Sequence, residues 1–253
     1  MVFPDGIKCI VCDCELDRES RLCVCPRCFL KQNTSFCLHC GRFFAGEAGE
    51  SLSSADISKA GEYIKNQVGE NSFCKECGTS PPPFDFARSP YVYEDKIVEL
   101  VYRFKYGNAQ YLAEHFAQHL LDVYLALGFK AKEAPNVLTF VPMAKKRKKS
   151  RGYNQAELLA KALASLVGLE IKELLHRKDL KINAAKMTRE ERLSFIKDSI
   201  SIAAGADVKK KRVLLIDDVL TTAATTGECA KKLKQAGADK VFVLTFATAK
   251  AFV

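Results

Sequence analysis

The stretch Val213–Thr225, which reads VLLIDDVLTTAAT, decides the fold of this 253-residue chain. Its first four residues are apolar β-formers in succession, which is typical of a strand buried on both faces of a parallel sheet. A short Thr/Ala loop then leads into a predicted helix, Ala224–Ala236, which ends at a glycine. A second apolar run, Val241–Phe246, predicts the next parallel strand, so the segment forms a βαβ unit.

Two adjacent carboxylates, Asp217 and Asp218, follow the apolar run directly. Ligands of parallel α/β sheets bind at the carboxyl ends of the strands, and a loop that opens a helix offers backbone amides, hydroxyls and a favourable dipole to a phosphate. We therefore predict a sugar-phosphate site made of the two acids and the loop. The alternative is an ordinary strand-turn-helix connection with solvated acids. The predicted loop ligands are Thr221, Thr222, Ala223, Ala224 and Thr225.

Apolar periodicity predicts an α/β domain upstream of this unit as well. The run Pro81–Pro83 fits neither a helix nor a central strand, because proline lacks the amide donor and fixes φ. We place a domain boundary there, with a small domain over 1–83 and the larger one over 84–253. The further predicted strands are Tyr91–Tyr93 and Val137–Val141, and the helices are Ile97–Phe104, Leu112–Leu127 and Ala156–Val167.

The cysteines point to metal. The chain has 11 of them, mostly as Cys-x-x-Cys pairs in the first third, which is typical of thiolate ligands in a reducing compartment. Two such pairs make one tetrahedral zinc site, so the module predicts one or two structural zinc ions, with 41–72 as an insertion. Metal removal should unfold this domain and spare the other. The predicted ligands are Cys9, Cys12, Cys25, Cys28, Cys37, Cys40, Cys74 and Cys77.

Other candidate ligands are weaker. Cys14 and Cys23 offer rival spacings, and His39 lies inside a cysteine knuckle. His115 and His119 are four residues apart on a predicted helix without a third ligand, so we interpret them as incidental. Cys229 falls within a predicted helix, where a packed thiol is expected. The last two cysteine pairs are each followed by glycine, which permits a positive φ in the turn.

A run of cations precedes the predicted helix at Ala156. The segment Lys145–Arg151 reads KKRKKSR, and mutual repulsion predicts a mobile loop that closes over an anion such as pyrophosphate. Lys145, Arg147 and Arg151 are the candidate anion ligands. The alternatives are a solvated charge run and a nucleic-acid patch.

Composition agrees with an acidic partner. The formal net charge is +9, which favours phosphate-bearing ligands.

No apolar run is long enough for a leader or a membrane span, so we expect a cytoplasmic protein without membrane insertion. Tryptophan is absent, and no aromatic cluster adjoins the cationic run in sequence, so a base-stacking platform is not predicted.

Several motifs together resemble the ComF (ComFC) competence family. These motifs are PPPFDFARSPY from Pro81, RFKYG from Arg103, RGYNQAELLA from Arg151 and LLIDDV from Leu214, with the cysteine pairs in front. The resemblance implies a type I phosphoribosyltransferase-like parallel sheet flanked by helices, with a small N-terminal zinc-ribbon domain. It also implies a role in the uptake of single-stranded DNA during transformation and a partner such as the competence helicase ComFA.

The resemblance also implies a ligand, phosphoribosyl diphosphate (PRPP) with Mg²⁺. In the phosphoribosyltransferase signature, the paired acids hold the ribose hydroxyls and a Thr-Thr-Gly-Ala-Thr loop cradles the 5′-phosphate. Ala223 stands where that pattern has glycine, and a positive φ there would cost on the order of 1 kcal/mol. After Arg177, the family's Thr, Gln and Asn positions hold Lys181, Ala184 and Phe195.

Three functions remain open at this point. The first is PRPP binding with slow or no turnover, and the second is an active phosphoribosyltransferase in which Asp218 affects the rate as magnesium-bound pyrophosphate leaves. The third is a zinc adaptor that binds single-stranded DNA and has a vestigial pocket.

Overall fold

The structure, a computed structural model of the chain, describes residues 36–44, 73–179 and 199–251. Within these ranges, helices and strands follow one another in short runs, and the last three elements form a strand-helix-strand unit. The helices are α1 (Lys75–Thr79), α2 (Asp95–Tyr106), α3 (Leu112–Ala126), α4 (Lys145–Arg151), α5 (Gln155–Val167) and α6 (Ala224–Gln235). The strands are β1 (Phe86–Arg88), β2 (Tyr91–Val92), β3 (Val137–Phe140), β4 (Leu175–Arg177), β5 (Ile200–Ile202), β6 (Arg212–Leu220) and β7 (Lys240–Thr248).

The main sheet is parallel throughout and has the order β1-β7-β6-β3, with β2 also on β7. β1 and β2 pair with successive parts of the same edge of β7, at Phe242–Leu244 and at Ala247–Thr248. Pro90 lies in the gap between them and has no amide to donate, which accounts for the break. β4 and β5 form a separate antiparallel pair.

β6 is longer than the sequence indicated. We expected the strand to end at Ile216 with both acids beyond it, but its pairing with β7 continues through Asp217↔Thr245 to Leu220↔Thr248. Pairing with β3, in contrast, ends at Phe140↔Ile216. The acids therefore lie in the strand itself, at the point where one of its two neighbours has stopped.

Helices cover the sheet and bury a continuous apolar core. α3 packs on α5 and on β7, and α5 packs on β3 and β6. Phe116 of α3 stacks on Phe246 of β7, with ring centroids 3.6 Å apart, and Phe104 meets Phe116 edge to face. The predicted fold class is confirmed: a parallel sheet flanked by helices, with a cysteine cluster at its N-terminal side. Among the described residues, no helix is both long enough and apolar enough to cross a membrane.

The cysteine segment lies against the β1 edge of the sheet. The amide of Ala87 donates to the carbonyl of His39 at 2.7 Å, and the amide of Ala251 donates to the carbonyl of Phe43 at 2.7 Å. The four described cysteines of this segment are buried in the same apolar cluster as the sheet. The predicted boundary at Pro81–Pro83 stays a prediction, but these contacts join the two sides of it.

The two glycines that follow cysteine pairs behave differently. Gly41 has φ +68°, as predicted, and a Cβ there would overlap the carbonyl oxygen of Ala87. Gly78 lies within α1, does not have a positive φ, and a Cβ there would meet nothing within 4 Å. The expectation is thus confirmed for Gly41 and wrong for Gly78, because α1 begins at Lys75, between Cys74 and Cys77.

These glycines give a matched test of the docking of the cysteine segment. We expect Gly41→Ala to lower the free energy of unfolding by about 2 kcal/mol or more, because left-handed strain adds to a backbone clash. Gly78→Ala should be neutral or stabilising by up to about 1 kcal/mol, since alanine is the better helix former. Urea unfolding of both variants checks this. Equal effects of the two substitutions would contradict the close approach of Gly41 to β1.

Candidate functional site

The acidic pair is held by its own backbone and by a lysine from α2. Asp217 Oδ1 accepts a hydrogen bond from the amide of Asp218 at 2.9 Å. Asp218 Oδ2 pairs with Nζ of Lys105 at 3.0 Å, and the Asp218 side chain is only 10% exposed. Sequence reasoning noted Lys105 within a family motif but assigned it no role, because nothing along the chain indicates that the end of α2 meets the end of β6.

The environment favours the protonated form of one carboxyl group. Burial, followed by the charge of Asp218, raises the pKa of Asp217 to about 7. The amide of Asp218 and the cations Lys105 and Arg177 oppose the rise. Burial, followed by the charge of Arg147, lowers the pKa of Arg177. Two acids and two arginines therefore lie close enough for each pair to shift the pKa of one of its members, as is common at functional sites.

A cavity of about 400 Å³ opens over the acidic pair. Its charged lining is cationic in balance, with six cations against three carboxylates. Such an excess of positive charge in a concave site favours a polyanion. The acids are Asp179, Asp217 and Asp218, and the cations are Lys105, Lys146, Arg147, Arg151, Arg177 and Lys178.

The predicted phosphate loop adjoins this cavity at one end. Thr225 lines it, whereas Thr221 and Thr222 are exposed and Thr221–Ala224 are not among its lining residues. Among the loop amides in the described chain, that of Ala224 has a partner, the hydroxyl of Thr222 at 3.4 Å. The first backbone amides of α6 follow this loop, and a helix N-terminus leaves such amides without partners inside the helix.

Ala223 adopts the strained conformation that the sequence comparison raised. Its φ is +58° and its ψ is 10°, and it is the N-cap residue of α6. Its side chain is 6% exposed and belongs to the apolar core. Ala223 therefore packs inward, and the strain that a positive φ imposes on alanine is present.

The cationic run is a helix, α4, and not the mobile loop that we predicted. Lys148 pairs with Glu157 at 2.6 Å, and the amide of Lys146 donates to Asp179 at 3.0 Å. Gly152 ends the helix in a left-handed conformation with φ 90°. Glu157, nine residues after Lys148, therefore offsets part of the repulsion, and Asp179 accepts a hydrogen bond from a backbone amide in the first turn of the helix.

The three predicted anion ligands of α4 separate. Arg147 and Arg151 line the cavity of the acidic pair, together with Lys146. Lys145 lines a neighbouring cavity of about 180 Å³ instead.

The motif that follows α4 fastens three elements together. Tyr153 donates its hydroxyl to the carbonyl of Phe104 at 2.6 Å, and Gln155 Nε2 reaches the carbonyl of Lys105 at 3.4 Å. Asn154 caps α5 by accepting from the amide of Ala156 and donates to the carbonyl of Val141 at 3.0 Å. This motif positions Lys105 at the cavity by fixing the end of α2.

An aromatic pair stands beside the cationic helix, contrary to our expectation from sequence. Tyr102 and Tyr106 of α2 are 61% and 62% exposed, with ring centroids 5.0 Å apart. The guanidinium of Arg151 lies 4.6 Å from the ring centroid of Tyr106. The expectation failed because these tyrosines precede α4 by more than 35 positions in the chain.

Four cysteines converge in the second candidate site. The Sγ atoms of Cys37, Cys40, Cys74 and Cys77 all lie within 4.8 Å of one another, and those of Cys40 and Cys74 are 3.7 Å apart. Four sulfurs at about 2.3 Å from a tetrahedral zinc would be about 3.8 Å apart. The cluster can therefore hold a metal ion. Cys9, Cys12, Cys25 and Cys28, with Cys14 and Cys23, lie outside the described residues.

Arg42 donates to two sulfurs of the cluster, while a hydrogen bond with Cys37 raises the pKa of Cys40. Arg42 donates from Nε to Cys40 Sγ at 3.2 Å and from Nη2 to Cys74 Sγ at 3.4 Å. Hydrogen bonds from the Cys40 side chain and from the Cys74 amide lower the pKa of Cys37 to about 4, whereas burial raises the pKa of Cys77 to about 12. A buried guanidinium on two sulfurs is what a negatively charged tetrathiolate site needs.

The remaining candidate metal ligands join no metal-binding cluster among the residues that the structure describes. His39 Nε2 bonds to the carbonyl of Pro82 at 2.8 Å, and His119 Nδ1 bonds to the hydroxyl of Tyr91 at 2.9 Å. Burial lowers the pKa of His119 to about 4. Cys229 is fully buried, and burial raises its pKa, as expected of a packed thiol.

Comparison with known proteins agrees with the motifs. The chain is 26% identical over 221 residues to competence protein F of Haemophilus influenzae, covering 84% of this chain and 96% of that protein. It is a relative of the ComF competence proteins. It is also 31% identical over 159 residues to the competence protein ComFC of Streptococcus pneumoniae, covering 61% of this chain and 64% of that protein.

The ComF relatives include a protein with a different name. The DNA utilization protein YhgH of Salmonella typhimurium is 27% identical over 172 residues, covering 67% of this chain and 75% of that protein. The ComF-like chain matches no protein-family model.

Solved structures that align with this ComF relative include the allosteric regulatory enzyme of purine biosynthesis, at TM-score 0.38 and 18% identity. That alignment covers 56% of this chain and 29% of the other. A purine phosphoribosyltransferase from Pyrococcus horikoshii aligns at TM-score 0.31 and 18% identity, covering 57% of this chain and 86% of that chain.

The electrostatics of the acidic pair can be measured directly. Because the pKa of Asp217 is raised from an unfolded value near 3.9, the folded state binds the proton more tightly. The contribution of Asp217 to the free energy of unfolding should therefore fall as pH rises from about 4 to about 7. We expect Lys105→Met, which removes the ammonium beside Asp218, to move the carboxyl midpoint above that of the parent chain.

Carbon-detected NMR titration of the aspartate carboxyls measures this midpoint. Lys161→Met is the control, since Lys161 pairs with Glu157 on an exposed face of α5. A midpoint that stays at the parent value in Lys105→Met would show that Lys105 is not coupled to the acidic pair.

Proposed function

We propose that this ComF relative binds PRPP in the cavity over Asp217 and Asp218. The observation that carries the proposal is the pairing of two carboxylates with an excess of cations in one concavity at the carboxyl edge of a parallel sheet. Carboxylates suit the ribose hydroxyls, and the cations suit a diphosphate. No single smaller anion would use both groups.

Each part of the ligand has a proposed partner. Asp217 and Asp218 hold the ribose hydroxyls, and the loop amides and hydroxyls from Thr221 to Thr225 hold the 5′-phosphate at the N-terminus of α6. Arg147 and Arg151, with Arg177, contact the diphosphate and its Mg²⁺ complex. Mg²⁺ bound to the ligand would neutralise charge as pyrophosphate departs if the chain transfers the ribosyl group.

We propose that this chain acts in the same process as its ComF relatives. Their names refer to competence and to DNA utilization, so we place this chain in the cytoplasm, in the handling of incoming DNA. A competence helicase of the ComFA kind is the protein partner implied by the same resemblance.

Calorimetry with PRPP and Mg²⁺ tests the binding proposal. We expect saturable binding that weakens about tenfold or more in Arg147→Met, because a charge-assisted hydrogen bond of about 1.5 kcal/mol or more is lost. Lys149→Met is the matched control, since Lys149 is an exposed cation of α4 that does not line the cavity.

Pyrophosphate release on addition of cell extract, abolished in Asp218→Asn, would identify a transferase. No heat at millimolar PRPP would overturn the proposal.

A second candidate function is the binding of single-stranded DNA across α2 and α4. The observation that favours it is the exposed pair Tyr102 and Tyr106, with Arg151 stacked on it, beside a helix of exposed cations. Aromatic side chains stack nucleobases without sequence preference, at about 1 to 3 kcal/mol per base, while cations neutralise phosphates. Both groups are on one surface here.

Fluorescence anisotropy with an oligothymidylate tests this function. We expect affinity to fall with salt, and Tyr102→Ala to weaken binding about fivefold or more through lost stacking. Tyr111→Ala is the control, because Tyr111 is 66% exposed but is not stacked on that pair. Lys149→Met should reduce the salt dependence here while it leaves PRPP binding unchanged. Binding that is indifferent to salt would exclude this function.

We further propose that Cys37, Cys40, Cys74 and Cys77 hold one structural Zn²⁺. All-sulfur tetrahedral ligation is the preference of zinc, and the donors of Arg42 offset part of the charge. Zinc bound here would fix the segment 36–44 against α1 and against the β1 edge. A second ion at the first two cysteine pairs stays a prediction from spacing.

A further inference from the structure

His39 lies in the knuckle between Cys37 and Cys40 and contacts residues outside the cysteine cluster. The Nε2 atom of His39 is 2.8 Å from the carbonyl oxygen of Pro82. A carbonyl oxygen accepts only, so Nε2 carries the proton and donates. The same imidazole stacks on Phe84, with ring centroids 5.1 Å apart and planes at 17°. His39 thus holds the segment Pro82–Phe84 by a hydrogen bond and by a ring contact.

The other side of that segment touches α6. A Cβ built on Gly227 would lie 3.5 Å from Cδ of Pro83 and 3.6 Å from Cβ of Pro82. The two proline rings therefore lie directly on the first turns of α6. These are ordinary van der Waals distances, so the prolines and the helix are packed in contact at this point.

Gly227 in turn holds the strained residue of the loop. Its amide donates to the carbonyl of Ala223 at 2.7 Å, and the hydroxyl of Thr226 reaches the same oxygen at 3.3 Å. A left-handed alanine persists only where its surroundings over-determine it. The contacts from Gly227 and Thr226 are part of what fixes Ala223, and through it the loop amides.

We propose that the metal knuckle supports the phosphate loop, with His39 as a positioning residue that acts through Pro82 and Pro83 on the first turns of α6. Metal bound by the four cysteines fixes His39, and the proline segment then holds Ala223 in its left-handed conformation. Occupancy of the metal site consequently tightens sugar-phosphate binding. This inference rests on the proposed PRPP site for its ligand and on no assumption about turnover.

The proposal modifies our expectation that metal loss would unfold the small domain and spare the larger one. The sheet would remain folded, but the phosphate loop would lose its support. Coupling between two sites is reciprocal, so PRPP should raise the equilibrium affinity for the metal by the same factor by which the metal raises the affinity for PRPP.

Substitutions of His39 in the metal-loaded full chain separate its two contacts. His39→Phe keeps a ring against Phe84 and removes the donor to Pro82, and we expect PRPP to bind about fivefold more weakly, at the lower end of usual couplings. His39→Gln restores an amide donor near the Nε2 position and should recover most of the affinity. His115→Phe is the control, since His115 is an exposed histidine of α3 outside the knuckle. Metal content, measured by elemental analysis, must equal that of the parent chain.

Amide hydrogen exchange provides a readout that needs no PRPP. We expect faster exchange at Gly227 and at its neighbours in α6 in metal-loaded His39→Phe, with unchanged protection in β6 and β7. Parent-like exchange at Gly227 in that variant, or parent-like PRPP affinity, would overturn the proposal. If the parent chain itself binds no PRPP, the proposed function fails while the exchange experiment still decides the support of the loop.

Discussion

The unequal pairing of β6 is the constraint on which the site depends. β7 accompanies β6 to Leu220, but pairing with β3 ends at Ile216. Beyond that point one edge of β6 faces open space, and the two aspartates lie there with their backbone still held in a ladder. Rigid main chain on one side and a cavity on the other is how a sheet presents side chains to a ligand without loss of order.

Charge in the cavity is arranged before any ligand arrives. Lys105 pairs with Asp218, and Arg147 and Arg177 oppose each other at the pocket wall. The helix α4, which carries most of the cations, is ordered by Glu157 and Asp179 from outside its own sequence. A polyanion would therefore meet groups already in place and would relieve repulsion among the arginines, which lowers the ordering cost of binding.

The cysteine cluster belongs physically to the sheet. Its buried thiols lie in the same apolar core as β6 and β7, and the carbonyl groups of His39 and Phe43 accept from amides at the sheet edge. Gly41 permits this approach because it has both a positive φ and no Cβ to strike β1. The cysteine segment and the sheet domain, which differ in composition, are therefore joined by contacts that run from the metal ligands to the first turns of α6. These contacts support the left-handed conformation of Ala223 from outside its own loop.

The sequence by itself determined the elements that rest on local regularity. Apolar runs and helical periodicity located β3, β6, β7, α2, α3, α5 and α6 to within a few residues, because burial on known faces leaves a repeat in the chain. The acidic pair, the Thr/Ala loop and the third and fourth cysteine pairs were likewise visible, since each is a short motif whose chemistry depends on adjacent residues. The resemblance to a glycine-bearing pattern raised a positive φ at Ala223 as a question, and the structure gave the answer.

Only the tertiary structure decided what depends on distant partners. The cationic run forms a helix in which Lys148 pairs with Glu157 and the amide of Lys146 donates to Asp179. Lys105 enters the site because the Tyr153–Gln155 motif holds the end of α2. Tyr102 and Tyr106, whose rings are in tilted contact, lie beside Arg151 for the same reason. Coulomb and packing energies depend on the distance between groups in space, and the order of residues along a chain does not give that distance. These contacts therefore form only when the parallel sheet brings these segments together at its carboxyl edge.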